Sequence, residues 1–137
     1  MAAANRSSAP RVADVMHRGL VSCIRTASLK SVAELMAEQR VHCVIVTDDA
    51  SDALALWGVV SDLDLVAAAS VRELEEQTAG VTATTPAITI GPGDSLQRAG
   101  YLMIKNGVSH LVVVDPAVRR PVGVISTLDL ATVLAAV

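Results

Sequence analysis

Apolar positions along the chain change their period several times, and each change marks an element. Val21 to Ile24 is a short apolar run that predicts a strand. From Ser28 to Gln39, Leu29, Val32, Leu35 and Met36 fall at helical spacing. Cys43 to Val46 is short and β-branched, with Asp48-Asp49 as turn residues after it, and predicts a strand. Leu54 to Ser61 predicts another. Asp62 to Glu76 is expected to be helical, with a polar second half. The same order then returns: a strand at Ala87 to Ile90, a helix at Leu96 to Asn106 stopped by Gly107, strands at Leu111 to Val114 and Val122 to Ser126, and a helix at Thr127 to Ala136.

The order returns because the sequence does. Gly58 to Leu65 reads G-V-V-S-D-L-D-L, and Gly123 to Leu130 reads G-V-I-S-T-L-D-L. Upstream the copies align at a slightly longer offset: Ser28-Leu29 with Ser95-Leu96, Leu35-Met36 with Leu102-Met103, Val46 with Val113 and Asp48 with Asp115. The offset changes between Asp48 and Gly58, where a surface turn can absorb a length difference. The period exceeds that of the usual solenoid repeats, so a closed pair is expected rather than an open array. Residues 1–10 are expected to be a disordered tail, 11–76 the first unit and 77–137 the second. The fold class expected is α/β (α+β): two β-α-β-β-α units packed as a pseudo-two-fold pair.

Each copy carries a serine and an aspartate three residues apart, where a strand turns into a helix. Free N–H groups and the helix dipole at such a turn favour a phosphate oxygen. A carboxylate one turn on is an acceptor with two oxygens and suits a pair of donor hydroxyls. The same S-x-x-D spacing is also a capping box. The two readings are compatible, since the serine can cap while the aspartate faces a ligand.

Composition narrows the partners. The chain has 137 residues, is 52% hydrophobic and has only Trp57 and Tyr101 as aromatics. Its net charge is −3, so nucleic acid is not an expected partner, nor are there aromatic platforms for single strands. No apolar run approaches the roughly 20 residues of a membrane span, so no membrane partner is expected. Cys23 and Cys43 form no CxxC pair, which suggests reduced thiols and a cytoplasmic location. His42-Cys43 and His110 lack a third ligand at suitable spacing, so no metal site is expected. G-P-G at 91 to 93 reads as a turn rather than a phosphate loop. No G-x-S-x-G, H-E-x-x-H or Cys–base motif is present, so no catalytic residue and no enzyme activity is expected.

The tandem β-α-β-β-α unit ending in G-h-h-[S/T]-x-x-D resembles a pair of CBS domains, the Bateman module, over roughly residues 11 to 137. The lead-ins V-A-D-V-M (12 to 16) and G-V-T-A-T (80 to 84), the Ser-Leu helix starts, and the apolar strands after R-V-H and G-V-S add to the resemblance. It implies two ligand clefts for adenosine-containing molecules: AMP, ADP, ATP, or in some members S-adenosylmethionine or NAD. No cofactor is required; the nucleotide is a regulatory ligand whose binding is passed to an effector protein. By position, Asp64 and Asp129 match the ribose-binding aspartates, and Ser61 and Ser126 the neighbouring hydroxyls. The resemblance places Thr78, Ala83, Val108 and Ser109 with Ser61 and Asp64 in one cleft. Arg11, Met16, Val41 and His42 join Ser126 and Asp129 in the other, with Arg11 and Met16 departing from the small residue types expected there.

A homodimer is expected from the apolar circumference of the last helix and from Leu63, Leu65 and Val66. Asp62, beside the expected phosphate end at Asp64, should disfavour a polyphosphate there. The alternative to ligand sensing is a structural homodimerisation module with empty clefts.

Overall fold

The computed structural model describes residues 9–48 and 55–137. The tail at 1–8, the turn residue Asp49 and the start of the expected strand at Leu54 lie outside the described residues. The elements are α1 (Val12–Val15), β1 (Ser22–Ile24), α2 (Leu29–Gln39), β2 (Cys43–Thr47), β3 (Leu56–Ser61), α3 (Asp62–Ala69), a 3-10 turn (Leu74–Glu76), α4 (Ala79–Thr82), β4 (Thr89–Ile90), α5 (Leu96–Asn106), β5 (His110–Asp115), β6 (Arg120–Ser126) and α6 (Thr127–Ala135). They form a mixed α/β fold with two three-stranded sheets, ordered β1-β2-β3 and β4-β5-β6.

The chain divides into two compact units. One is Gly19–Ile88; the other joins the residues up to Arg18 to Thr89–Val137. In each sheet the first pair is parallel and the second antiparallel, and the antiparallel pair slips register near its far end, at Val46/Thr47 and at Val113/Val114. β2 is buried along its whole length, which is why its sequence is an unbroken apolar run rather than an alternation. In the Gly19–Ile88 unit, Leu29, Val32 and Met36 of α2 pack with Val44, Val46 and Val60 of the sheet and with Leu65, Ala68, Ala79 and Ala83. With no phenylalanine available, close packing is met by branched aliphatics. The other unit buries Val12, Ile90, Ala99, Met103, Leu111, Val112, Val113 and Ile125.

The helix starts at Ser28 and Ser95 are N-caps, each hydroxyl accepting from the backbone N–H three residues on, Ser31 and Arg98. α5 ends on Gly107 in the left-handed region at φ 63°, where glycine carries no steric penalty. Arg40 holds the same position after α2 at φ 55°.

The helix expected over Asp62 to Glu76 is shorter. α3 ends at Ala69, with Ser70 as C-cap; the Ser70 hydroxyl donates to the Ala67 carbonyl. Gln77 Nε2 donates to the carbonyls of Ala68 and Arg72 at 3.0 and 3.1 Å, so a side chain from further along bonds carbonyls on both sides of the break. The strand expected at Ala87 to Ile90 is reduced to Thr89–Ile90.

The lead-ins are short helices, and each docks within the unit built mainly from the other repeat. α1 places its first N–H groups on the 91–94 turn: Val12 N donates to Asp94 O and Ala13 N to Pro92 O, at 3.0 and 2.9 Å. α4 does the same on the turn before α2, with Ala79 N to Ala27 O and Gly80 N to Arg25 O, both 2.8 Å. These bonds supply the acceptors that a helix N-terminus lacks. Trp57 fixes the second lead-in further, its Nε1 donating to Gly80 O at 2.9 Å beneath the Arg25 guanidinium, 3.8 Å from the ring centroid.

Candidate ligand-binding site

In the Gly19–Ile88 unit, β3 delivers Ser61 to the start of α3. The Ser61 hydroxyl accepts from Asp64 N at 3.2 Å, and Asp64 Oδ2 accepts from Ser61 N at 2.9 Å. The capping box is therefore real. It uses only one carboxylate oxygen: Asp64 Oδ1 has no hydrogen-bond partner among the described residues.

In the other unit, Ser126 and Asp129 repeat this arrangement at the β6–α6 turn. Asp129 Oδ2 accepts from Ser126 N at 2.8 Å and from the Ser126 hydroxyl at 3.0 Å. Here the second oxygen is also engaged, by His17 Nε2 at 2.8 Å. The Asp129 side chain is only 10% exposed, while the His17 side chain is 74% exposed.

Thr78 and Ala83, the N- and C-caps of α4, lie in the same unit as Ser61 and Asp64, and so do Val41 and His42. Arg11, the N-cap of α1, and Met16, its C-cap, lie with Ser126, Asp129, Val108 and Ser109. Ala83 and Met16 are buried. Arg11 N donates to Asp14 Oδ2 at 2.7 Å. His42 Nδ1 sits 3.1 Å from Asp62 Oδ2, and Asp62 Oδ1 accepts from Leu63 N, so Asp62 is an engaged N-terminal carboxylate with a histidine as neighbour. The backbone repeats this proximity in both units: Asp62 N donates to His42 O and Thr127 N to Ser109 O, each at 2.9 Å. Ser109 Oγ is hydrogen-bonded to His110 Nδ1 at 3.0 Å.

The motif glycines have a steric role. The lead-in backbone crosses β3 at Gly58 and β6 at Gly123. Thr84 exchanges two backbone hydrogen bonds with Val59, and His17 exchanges two with Val124. A Cβ on Gly58 would run into the Thr84 carbonyl oxygen, and one on Gly123 would sit 2.7 Å from His17 O and 2.8 Å from Met16 Sδ. Glycine at this point lets the lead-in lie against the strand that carries the Ser-x-x-Asp turn.

Sequence reasoning missed His17. The signal was present in the repeat: His17 aligns with Thr84, one residue past each lead-in helix's C-cap. Cys23 is half-buried and Cys43 buried, and both thiols are held in the protonated form. Burial pushes Cys23 up to about 11, and burial with the nearby Asp62 charge pushes Cys43 up to about 12. Among the described residues, no three His, Cys, Asp or Glu side chains gather to hold a metal, and no helix is long and apolar enough to cross a membrane.

The family model for the CBS domain matches twice, at residues 12–71 and 78–136. Among solved structures, the chain is similar to a CBS domain protein from Pyrobaculum aerophilum complexed with AMP, at 28% identity, covering 93% of this chain and 99% of that one, with a TM-score of 0.78. It is also similar to a Vibrio cholerae structure named for acetoin utilization, at 26% identity, covering 93% and 92%, with a TM-score of 0.72. A CBS domain pair in complex with 5′-methylthioadenosine and S-adenosyl-L-methionine shares the fold at 19% identity, covering 93% and 98%, with a TM-score of 0.76. No curated protein matches the chain. Two family matches that together span most of the sequence, each containing a Ser-x-x-Asp turn crossed by a lead-in, place this chain in the CBS domain family.

Proposed function

We propose that the chain is a regulatory module that binds an adenosine-containing ligand and passes the bound state to an effector protein. The observation that carries this reading is the Asp64 carboxylate. One oxygen is fixed by the Ser61 N–H and the other is left without a partner among the described residues. A fixed carboxylate with a spare oxygen is a ready acceptor for ribose hydroxyls. The α3 N-terminus beside it favours the phosphate of a mononucleotide. AMP in the Pyrobaculum aerophilum relative supports that choice of ligand class.

AMP is the form we assign to the Asp64 site, because Asp62 on the same first turn opposes additional phosphate charge. Assembly as a homodimer belongs to the same proposal. Leu63 and Val66 on α3, and Leu128 and Leu134 on α6, are large apolar side chains left exposed. Apolar patches on elements of this size mark association surfaces.

A thermal-shift screen against AMP, ADP, ATP, NAD and S-adenosylmethionine tests the ligand class. A ligand that binds only the folded chain raises its melting temperature. AMP is expected to raise it; a screen in which no adenosine compound does so would favour the purely structural dimerisation module.

A further inference from the structure

The two Ser-x-x-Asp turns are alike in backbone and unlike in what their carboxylates touch. At Asp64 one oxygen is open among the described residues; at Asp129 both are engaged, the second by His17 Nε2 at 2.8 Å. The difference comes from one position. His17 and Thr84 occupy the same place in the two lead-ins, each paired through its backbone to the strand ahead of the motif, His17 with Val124 and Thr84 with Val59. Thr84 makes no hydrogen bond to Asp64, whereas the imidazole of His17 spans the distance to Asp129. A carboxylate only accepts, so His17 Nε2 carries the proton in this contact.

We infer that His17 is a specificity-determining latch: it occupies the carboxylate oxygen of Asp129 that a ribose hydroxyl would need, so that the two sites fill in order, Asp64 first and Asp129 second. The inference rests on the ribose reading of the Ser-x-x-Asp turn given above. Asp129 is nearly buried and His17 is mostly exposed. The imidazole can therefore swing out into solvent without disturbing packing, while the carboxylate stays where the capping box holds it. A ligand entering at Asp129 replaces one hydrogen bond by another and gains less than a ligand entering at Asp64, whose oxygen starts without a protein partner. The expected penalty is on the order of three- to tenfold in affinity, the range for a partly solvated contact to a charged group.

The test is a calorimetric titration of AMP into wild type, Asp64→Ala, and Asp64→Ala carrying His17→Thr or His17→Gln, with the His17 imidazole followed by nitrogen NMR. Threonine is what the other lead-in has at this position; glutamine keeps an amide donor at similar reach. The latch predicts two binding steps in wild type; in Asp64→Ala the stronger step falls to or below the weaker one, which then dominates the titration. That weaker step should strengthen several-fold with His17→Thr and stay weak with His17→Gln. The imidazole resonances should move during the second step and not the first. Unchanged or weaker binding in the His17→Thr chain, or a silent imidazole while the second site fills, overturns the latch but leaves the ribose reading standing. An absence of AMP binding in wild type itself overturns the ribose reading, and the latch with it.

Discussion

At the residue scale, the most informative side chains are those whose environment differs from what their type suggests. Cys43 is one. Burial and the neighbouring Asp62 charge raise its thiol from 9.0 to about 12. The folded chain thus keeps a proton that the unfolded chain releases above pH 9. Between pH 9 and 12 the folded state binds more protons than the unfolded state, so this thiol makes stability fall as pH rises through that window. Below pH 9 the thiol contributes no pH dependence. Urea unfolding at pH 8 and pH 10 should show a steeper alkaline loss in wild type than in Cys43→Ala. Equal losses would mean the thiol is not buried as described. Asp64 and Asp129 were legible as a pair from the sequence, because S-x-x-D after G-h-h recurs. That one carboxylate is open and the other held by His17 was not legible, since the contact joins positions 112 residues apart.

At the scale of elements, the pattern of apolar positions located most strands and helices within a residue or two. α2 and α5 were the clearest, because apolar positions at helical spacing follow a serine that caps. α3 was overextended. Its polar continuation, R-E-L-E-E-Q, has good helix formers, but the backbone turns after Ala69, with Val71 N and Arg72 N both bonded to Ala68 O, and Gln77 Nε2 bonds carbonyls across that turn. The lead-in helices were also not foreseen as helices, since four residues are too few to show a period. What the lead-ins do explains the motif glycines. Gly58→Ala and Gly123→Ala should each destabilise the chain by roughly 1–3 kcal/mol, the usual range for forcing an atom into filled space. Gly93 is the control: beyond its own chain neighbours, no described atom lies within 4 Å of where its Cβ would stand, and Gly93→Ala should be near neutral. Chemical denaturation of the three variants checks this; wild-type stability in Gly58→Ala would show that the lead-in does not cross β3 so closely.

For the molecule as a whole, the repeat and the compact units cut the chain in different places. The family matches begin at 12 and 78, each including its own lead-in, whereas the compact units place each lead-in with the sheet of the other repeat. An internal repeat reveals duplication but not which copy a short segment docks on, which is why sequence alone left that exchange to the resemblance. The apolar faces of α3 and α6 also find no cover within their units, as Leu63 and Leu134, both more than 70% exposed, illustrate. Light scattering at micromolar concentration should give twice the mass of 14.2 kDa, and Leu63→Glu combined with Leu134→Glu should return the monomer. A monomeric wild type would remove the dimer from the proposal and leave the ligand site untouched.

Ligand sensing by this chain stands or falls on whether Asp64 holds the ribose of an adenosine ligand. Isothermal titration of AMP into wild type, Asp64→Ala and the Asp64→Ala/Asp129→Ala double variant decides it. If Asp64 has that role, Asp64→Ala weakens the stronger binding step by about 1.5–3 kcal/mol, as for hydrogen bonds to a charged group, and the double variant loses measurable binding. A double variant that binds AMP as tightly as wild type would rule the role out.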